Sequence, residues 1–197
     1  MIKNIIFDVG DVLIGYRWKE MLLDHGIPDE IAQRIGENIF SDSIWKKFDS
    51  GLVSIEELQE HYIRLYPEDE EHIRYFLNSG ELMHVERPRV WERVHALKEK
   101  GYHIYLLSNY SQVLFEKHTN GASFLQDLDG GIISYQVHIV KPDPAIYQTL
   151  LQKYDLNPSE CIFYDDRKEN TDAAKECGIE AVTVLSEQFL LDRLSLL

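Results

Sequence analysis

Asp8, Ser108, Asn109, Lys141, Asp165, Asp166 and Asn170 are the residues of this chain whose types and spacing can do chemistry together. Asp8 ends the apolar run of KNIIFDVGDVL, and Ser108 and Asn109 end that of YLLSNYS. Lys141 opens KPDPAIY, and Asp165 and Asp166 stand at the tip of CIFYDDRKEN, with Asn170 a few residues on. A single aspartate at a strand end is most often a turn former. Taken jointly, these residues supply acids that can attack or hold a hard cation, and an ammonium and a hydroxyl that can hold an anion.

The runs that carry them must be placed first. Short apolar runs bounded by polar residues and alternating with helical patterns read as buried parallel strands. In an open parallel sheet the carboxyl ends of the strands meet at one crevice, where ligands bind. The expected class is therefore α/β, a doubly wound parallel sheet, with residues far apart in sequence converging at its C-terminal edge.

The order and spacing of these motifs resemble the haloacid dehalogenase-like hydrolase superfamily, from the first ten residues to the C-terminal region. Any one motif alone is common; all four in order are not. The resemblance implies a Rossmann-like core and a phosphatase that forms an aspartyl-phosphate on Asp8. It implies that Ser108, Asn109 and Lys141 hold the phosphoryl group, and that Mg²⁺ is bound by Asp8, the Gly10 carbonyl and Asp166, with Asp165 a direct ligand or one shell out. Charge neutralisation of this kind is what attack by one anion on another requires. Asn170 is suited to orienting Lys141 or a metal-bound water.

One position departs from the commoner pattern. Many phosphatases of the superfamily carry an acid two residues after the nucleophile, whereas here Gly10 stands there and Asp11 follows. The wording FDVGDVL resembles a branch with first motif FD-x-G-x-V that includes sugar-phosphate phosphatases. It implies a small phosphorylated metabolite, a sugar phosphate, as substrate. Asp11 is the nearest candidate acid, and Arg17, beside Tyr16 and Trp18, is a candidate substrate contact. Without an acid at Gly10's position, esters with stabilised leaving groups are expected to be preferred. A haloacid dehalogenase-type hydrolase and a catalytically weak phosphate-binding protein are the alternative functions.

Between the first two motifs the patterning turns helical, from about residue 16 to 85. Ile31, Ile35 and Ile39 share one spacing, and Leu58, Tyr62 and Leu65 another. Ser54 and Glu57 form a capping-box sequence, and Pro28 and Pro67 punctuate the rest. The reading is a core of residues 1–15 and 86–197 with a helical cap of residues 16–85, resembling a four-helix cap. Val90, Val94 and Leu97 mark the first helix of the resumed core, stopped at Gly101. FLLDRLSLL reads as a helix packed on the sheet.

The chain has 197 residues, 44% hydrophobic and 27% charged, with a formal net charge of -14, an ordinary globular composition. That charge opposes nucleic-acid backbones and anionic membranes. No apolar stretch approaches the ~20 residues that span a bilayer, and the N-terminus reads as a strand, not a signal peptide. Cys161 and Cys177 read as thiols without a disulfide. The expectations are a cytoplasmic protein, monomer or homodimer, with neither nucleic acid nor membrane as partner.

Overall fold

Each strand-forming run of the sequence is short, so the sheet depends on pairing between distant segments. A computed structural model describes residues 1–197. The chain begins with β1 (Asn4–Phe7) and β2 (Ile14–Tyr16). Five helices follow: α1 (Trp18–Asp24), α2 (Asp29–Ser41), α3 (Ser43–Asp49), α4 (Ile55–Leu65) and α5 (Glu70–Asn78). After β3 (His84–Glu86) come α6 (Pro88–Glu99), β4 (His103–Ser108), α7 (Gln112–Thr119), β5 (Gly130–Ile133) and the short α8 (Ser134–Val137). The chain ends with α9 (Pro144–Lys153), β6 (Cys161–Asp165), α10 (Lys168–Glu176), β7 (Glu180–Thr183) and α11 (Glu187–Leu194).

Five strands form one sheet in the order β5-β4-β1-β6-β7, and every pair is parallel. The α/β parallel-sheet expectation holds. Strand β1 lies at the centre, with Phe7 opposite Leu106 on one side and Tyr164 on the other. The next residues, Asp8, Leu107–Ser108 and Asp165, therefore lie side by side at the C-terminal edge of the sheet.

Alternation along the strands builds two cores. Ile5, Phe7, Ile104, Leu106, Ile162 and Tyr164 face Val90, Trp91 and Val94 of α6 and Leu190 and Leu194 of α11. Ile6, Tyr105, Leu107 and Phe163 face Ile146, Tyr147 and Leu150 of α9 and Ala173 and Ala174 of α10. Side chains of period two thus bury both faces, as a sheet covered by helices on both sides requires.

Helices α1 to α5 lie between β2 and β3, which pair antiparallel as a separate two-stranded ribbon. That ribbon carries no sequence signal, because three residues are too few to show a period. Ile35 and Ile39 are buried on α2, and Leu58 and Tyr62 on α4. Leu65 departs from its expected face: it is the last residue of α4 and is 51% exposed. The Ser54–Glu57 capping box forms, each side chain accepting from the other residue's backbone N–H. Both cysteines are free, and no helix is long and apolar enough to cross a membrane.

Candidate active site

Parallel pairing sets the floor of the site. Asp8 continues β1 by one bond, its N–H donating to the Tyr164 carbonyl, which puts its carboxylate beyond the sheet edge and only 7% exposed. Three donors converge on a single oxygen, Oδ1: Ser108 Oγ at 2.6 Å, the Val9 N–H at 2.8 Å and Lys141 Nζ at 3.0 Å. Oδ2 accepts no hydrogen bond and is the oxygen free for chemistry. Lys141 Nζ also donates to Asp165 Oδ2 at 2.6 Å and to the Leu107 carbonyl at 2.9 Å, so all of its protons are placed.

Asp165 is fully buried and fully engaged. Besides Lys141 it accepts from the Arg167 N–H at 2.8 Å and from Asn170 Nδ2 at 3.0 and 3.1 Å. Asn170 therefore holds Asp165, which in turn holds Lys141. Asn109 clamps the lysine main chain: its Oδ1 accepts from the Lys141 N–H at 2.7 Å and its Nδ2 donates to the Lys141 carbonyl at 3.0 Å. Asp166 makes no hydrogen bond and lines the cavity. Oxygens of Asp8, Asp165 and Asp166 all lie within 4.8 Å of one another.

Electrostatics follow from this crowding. Burial pushes the Asp8 carboxyl up to about 8, with Asp165 and Asp166 adding to the rise and Lys141 opposing it. Burial, then the Asp165 and Asp11 charges, raise Asp166 to about 6. Burial works to lower the Lys141 ammonium, but Asp165 and Asp8 outweigh it and hold it above its ordinary value. One ammonium for three carboxylates leaves negative charge that only added positive charge can offset.

Above the floor is a cavity of about 450 Å³, the size of small-molecule sites. Asp8, Gly10, Lys141 and Asp166 lie at its base, with Trp18, Phe40, Trp45 and Asp49 contributed by the helices between β2 and β3. The structure brings Asp8, Ser108, Asn109, Lys141, Asp165, Asp166, Asn170 and Gly10 together. Ser108 is wholly buried, its hydroxyl given to Asp8, and it does not line the cavity. Asp11 is at the rim with a left-handed backbone, φ 53°; its Oδ1 accepts from the Tyr16 N–H at 3.2 Å. Arg17 is not brought to the site. Its guanidinium, just before α1, pairs with Asp24 at the end of that helix and reaches the Leu82 carbonyl, a local acid one helical stretch away being the nearer partner.

Sequence reading missed a buried chain of hydroxyls. Tyr16 Oη donates to Tyr110 Oη at 2.6 Å, and Tyr110 Oη lies 2.9 Å from His118 Nδ1, whose Nε2 lies 2.7 Å from the Gly80 carbonyl. A carbonyl only accepts, so Nε2 carries the proton and the donors run from Tyr16 to Gly80. Burial lowers His118 to about 4, the Gly80 carbonyl opposing, and keeps it neutral. Asp49 and Arg167 were also missed. Tyr110, next to Asn109, could have been flagged by adjacency; Asp49, inside a helix, gave no signal.

A family model described as haloacid dehalogenase-like hydrolase matches residues 2–178. The chain is 27% identical over 195 residues to D-ribitol-5-phosphate phosphatase of Bacteroides thetaiotaomicron, covering 91% of this chain and 90% of that protein. It is 28% identical over 215 residues to enolase-phosphatase E1 of Hydrogenobaculum sp., with coverage of 93% and 91%. A solved haloacid dehalogenase-family enzyme of Bacteroides thetaiotaomicron, in complex with magnesium and inorganic phosphate, superposes with a TM-score of 0.73 at 26% identity, covering 93% of this chain and 94% of that one.

Proposed function

The chain belongs to the haloacid dehalogenase-like hydrolase family, and from that premise we propose that it is a Mg²⁺-dependent phosphatase of small phosphate esters, sugar or polyol phosphates, acting through Asp8. The observation that carries this reading is the single cluster of Asp8, Lys141, Asp165 and Asp166 at the base of a small cavity.

The donor set fits a hard divalent cation: oxygens only, within 4.8 Å of one another, and more carboxylates than ammonium. Asp8, Asp166 and the Gly10 carbonyl would hold it. Asp165, its oxygens already occupied by N–H donors, serves to position Lys141. When bound, Mg²⁺ supplies positive charge that ionises the carboxylates and offsets that of the phosphate.

The residues of the chain then divide the work. Asp8 attacks phosphorus through its free oxygen, while its other oxygen is held by Ser108, the Val9 N–H and Lys141, which fixes the angle of approach. The P–O bond to the leaving group breaks, and the phosphoryl group rests on Asp8 until water displaces it. Lys141 faces the transferring oxygens with a fixed charge. Trp18, Phe40 and Trp45 give flat apolar faces, and Asp49 and Lys46 polar ones, which suits a molecule with both C–H faces and hydroxyls. The name of the ribitol-phosphate relative supports the same substrate class. Location in the cytoplasm and a monomer or homodimer accord with this reading.

The test is a panel of sugar and polyol phosphates assayed with Mg²⁺ and with EDTA. Hydrolysis is expected only with Mg²⁺, and Asp8→Asn should lower the rate by at least ~10³-fold. Turnover of a phosphate ester in EDTA would overturn the reading. Metal-free dechlorination of 2-chloropropionate would replace it with dehalogenase chemistry.

A further inference from the structure

A departing alkoxide needs a proton, and the position two residues after the nucleophile cannot supply it. Gly10 has no side chain, and a Cβ built there would lie 2.6 Å from Tyr16 Oη and 2.7 Å from that ring. The ring fills the space that an acid at this position would need.

Other groups in and around the cavity are committed elsewhere. The Asp11 carboxylate accepts from the Tyr16 N–H and lies 3.7 Å from the Arg87 guanidinium. Arg87 itself is fixed by the Asp11 and Val12 carbonyls, at 2.6 and 3.1 Å. The Tyr16 proton points to Tyr110, and the Tyr110 proton to His118. Burial pushes both phenols well above their ordinary value.

Asp49 is free of such ties. It is the last residue of α3 and lines the same cavity as Asp8 and Gly10. Its side chain forms no salt bridge, and the Ser111 N–H is the group that most favours its charged form. The Ser111 hydroxyl is buried with no partner, so this corner has unused polar capacity. The main chain is anchored to the core directly after the Asp49 Cα, at two successive carbonyls. Ser134 Oγ donates to the Asp49 carbonyl at 2.5 Å, and His138 Nδ1 donates to the Ser50 carbonyl at 2.8 Å. Such anchoring is what a positioned acid requires.

Building on the phosphatase reading, the geometry points to Asp49 as the general acid and base of the reaction, supplied by α3 in place of an acid at position 10. As Asp8 attacks and the P–O bond breaks, the bond pair goes to the leaving oxygen, which takes the proton of the Asp49 carboxyl. Water then attacks the phosphorus, its proton passes to the Asp49 carboxylate, and the P–O bond to Asp8 breaks. Both carboxyls return to their starting states. Burial raises Asp49 to about 7, with the Ser111 N–H, Arg167 and Lys141 opposing, which leaves it able both to give and to take a proton near neutrality.

The experiment compares kcat/KM for benzyl phosphate, which leaves as an alkoxide, with that for p-nitrophenyl phosphate, which leaves as a stabilised phenolate. The two are of similar size, and kcat/KM reports only steps up to release of the leaving group. Asp49→Asn should lower the benzyl value by ~10²–10⁴-fold and the nitrophenyl value by less than ~10-fold. Asp49→Glu, which keeps the carboxyl, should recover part of the benzyl rate. An equal loss for both esters, or no loss for either, overturns the assignment while leaving the phosphatase reading intact. A wild-type enzyme inactive on both with Mg²⁺ overturns both.

Discussion

Lys141 neutralises one charge where the chain places three, and this imbalance governs how the site responds to pH. In the metal-free protein Asp8 is raised to about 8 and Asp166 to about 6, both chiefly by burial. These values lie above the roughly 3.9 of an unfolded aspartate. Between about pH 4 and the folded values, the folded chain binds more protons than the unfolded one and loses stability as pH rises. Asp49, raised by burial to about 7, adds a slope of the same sign. A divalent cation takes the place of the protons on Asp8 and Asp166, so its stabilisation grows along the same rise. The melting-temperature increase on adding saturating Mg²⁺ should therefore be larger at about pH 8 than at about pH 5.5. Equal shifts, or a larger one in acid, would contradict this account.

Among the elements, the turn from β1 to β2 is closed by bonds to one carbonyl. The Val9 carbonyl accepts from the N–H groups of Val12, Leu13 and Ile14, and Trp91 Nε1 donates to the Leu13 carbonyl at 2.6 Å. Trp91 of α6 and Arg87, which caps that helix, thus hold the turn by its carbonyls, while the Tyr16 ring packs against Gly10. The glycine is required by contact, not by backbone conformation. Gly10→Ala should cost about 1–3 kcal/mol, the usual range for overpacking. The same change in a Tyr16→Ala background should cost close to nothing. Urea denaturation of the four proteins of this cycle measures the coupling; additive costs would mean that the ring yields freely.

For the molecule as a whole, the question is whether the helices between β2 and β3 stand alone. One buried cluster runs from Ile5 and Phe7 in the sheet through Met83 and Leu114 to Ile35, Leu58, Tyr62 and Phe76 in those helices. Gly80 lets Leu114 of α7 approach closely, since a Cβ there would lie 2.5 Å from its Cδ2. A continuous core predicts one cooperative transition. In a Trp91→Phe variant the remaining tryptophans, Trp18 and Trp45, report only on α1 and α3. Their fluorescence and the far-UV circular dichroism should then change at the same denaturant concentration. An earlier fluorescence transition would show that the helices unfold as a separate unit.

The residues at the strand tips were legible because local sequence settles where they go. Apolar runs ending in Asp8, Ser108 and Asp165 form strands whatever surrounds them, and a parallel sheet has one C-terminal edge, so these groups had to converge. Lys141 joined them through its motif. What the groups do to one another was decided by tertiary structure. Asp165 turns to Lys141 and not to the cavity, Ser108 is sealed beneath Asp8, and Asn109 clamps a main chain 32 positions away. Arg17 and Asp49 show the division most clearly. Both sit at the ends of short helices of the same insert, Arg17 just before α1 and Asp49 closing α3, where periodicity gives a face but not which core surface that face meets. The way the insert lies against β1, α7 and α8 directs Asp49 into the cavity and leaves Arg17 with Asp24, because that angle depends on side-chain packing summed over distant segments, which no local pattern of residues encodes.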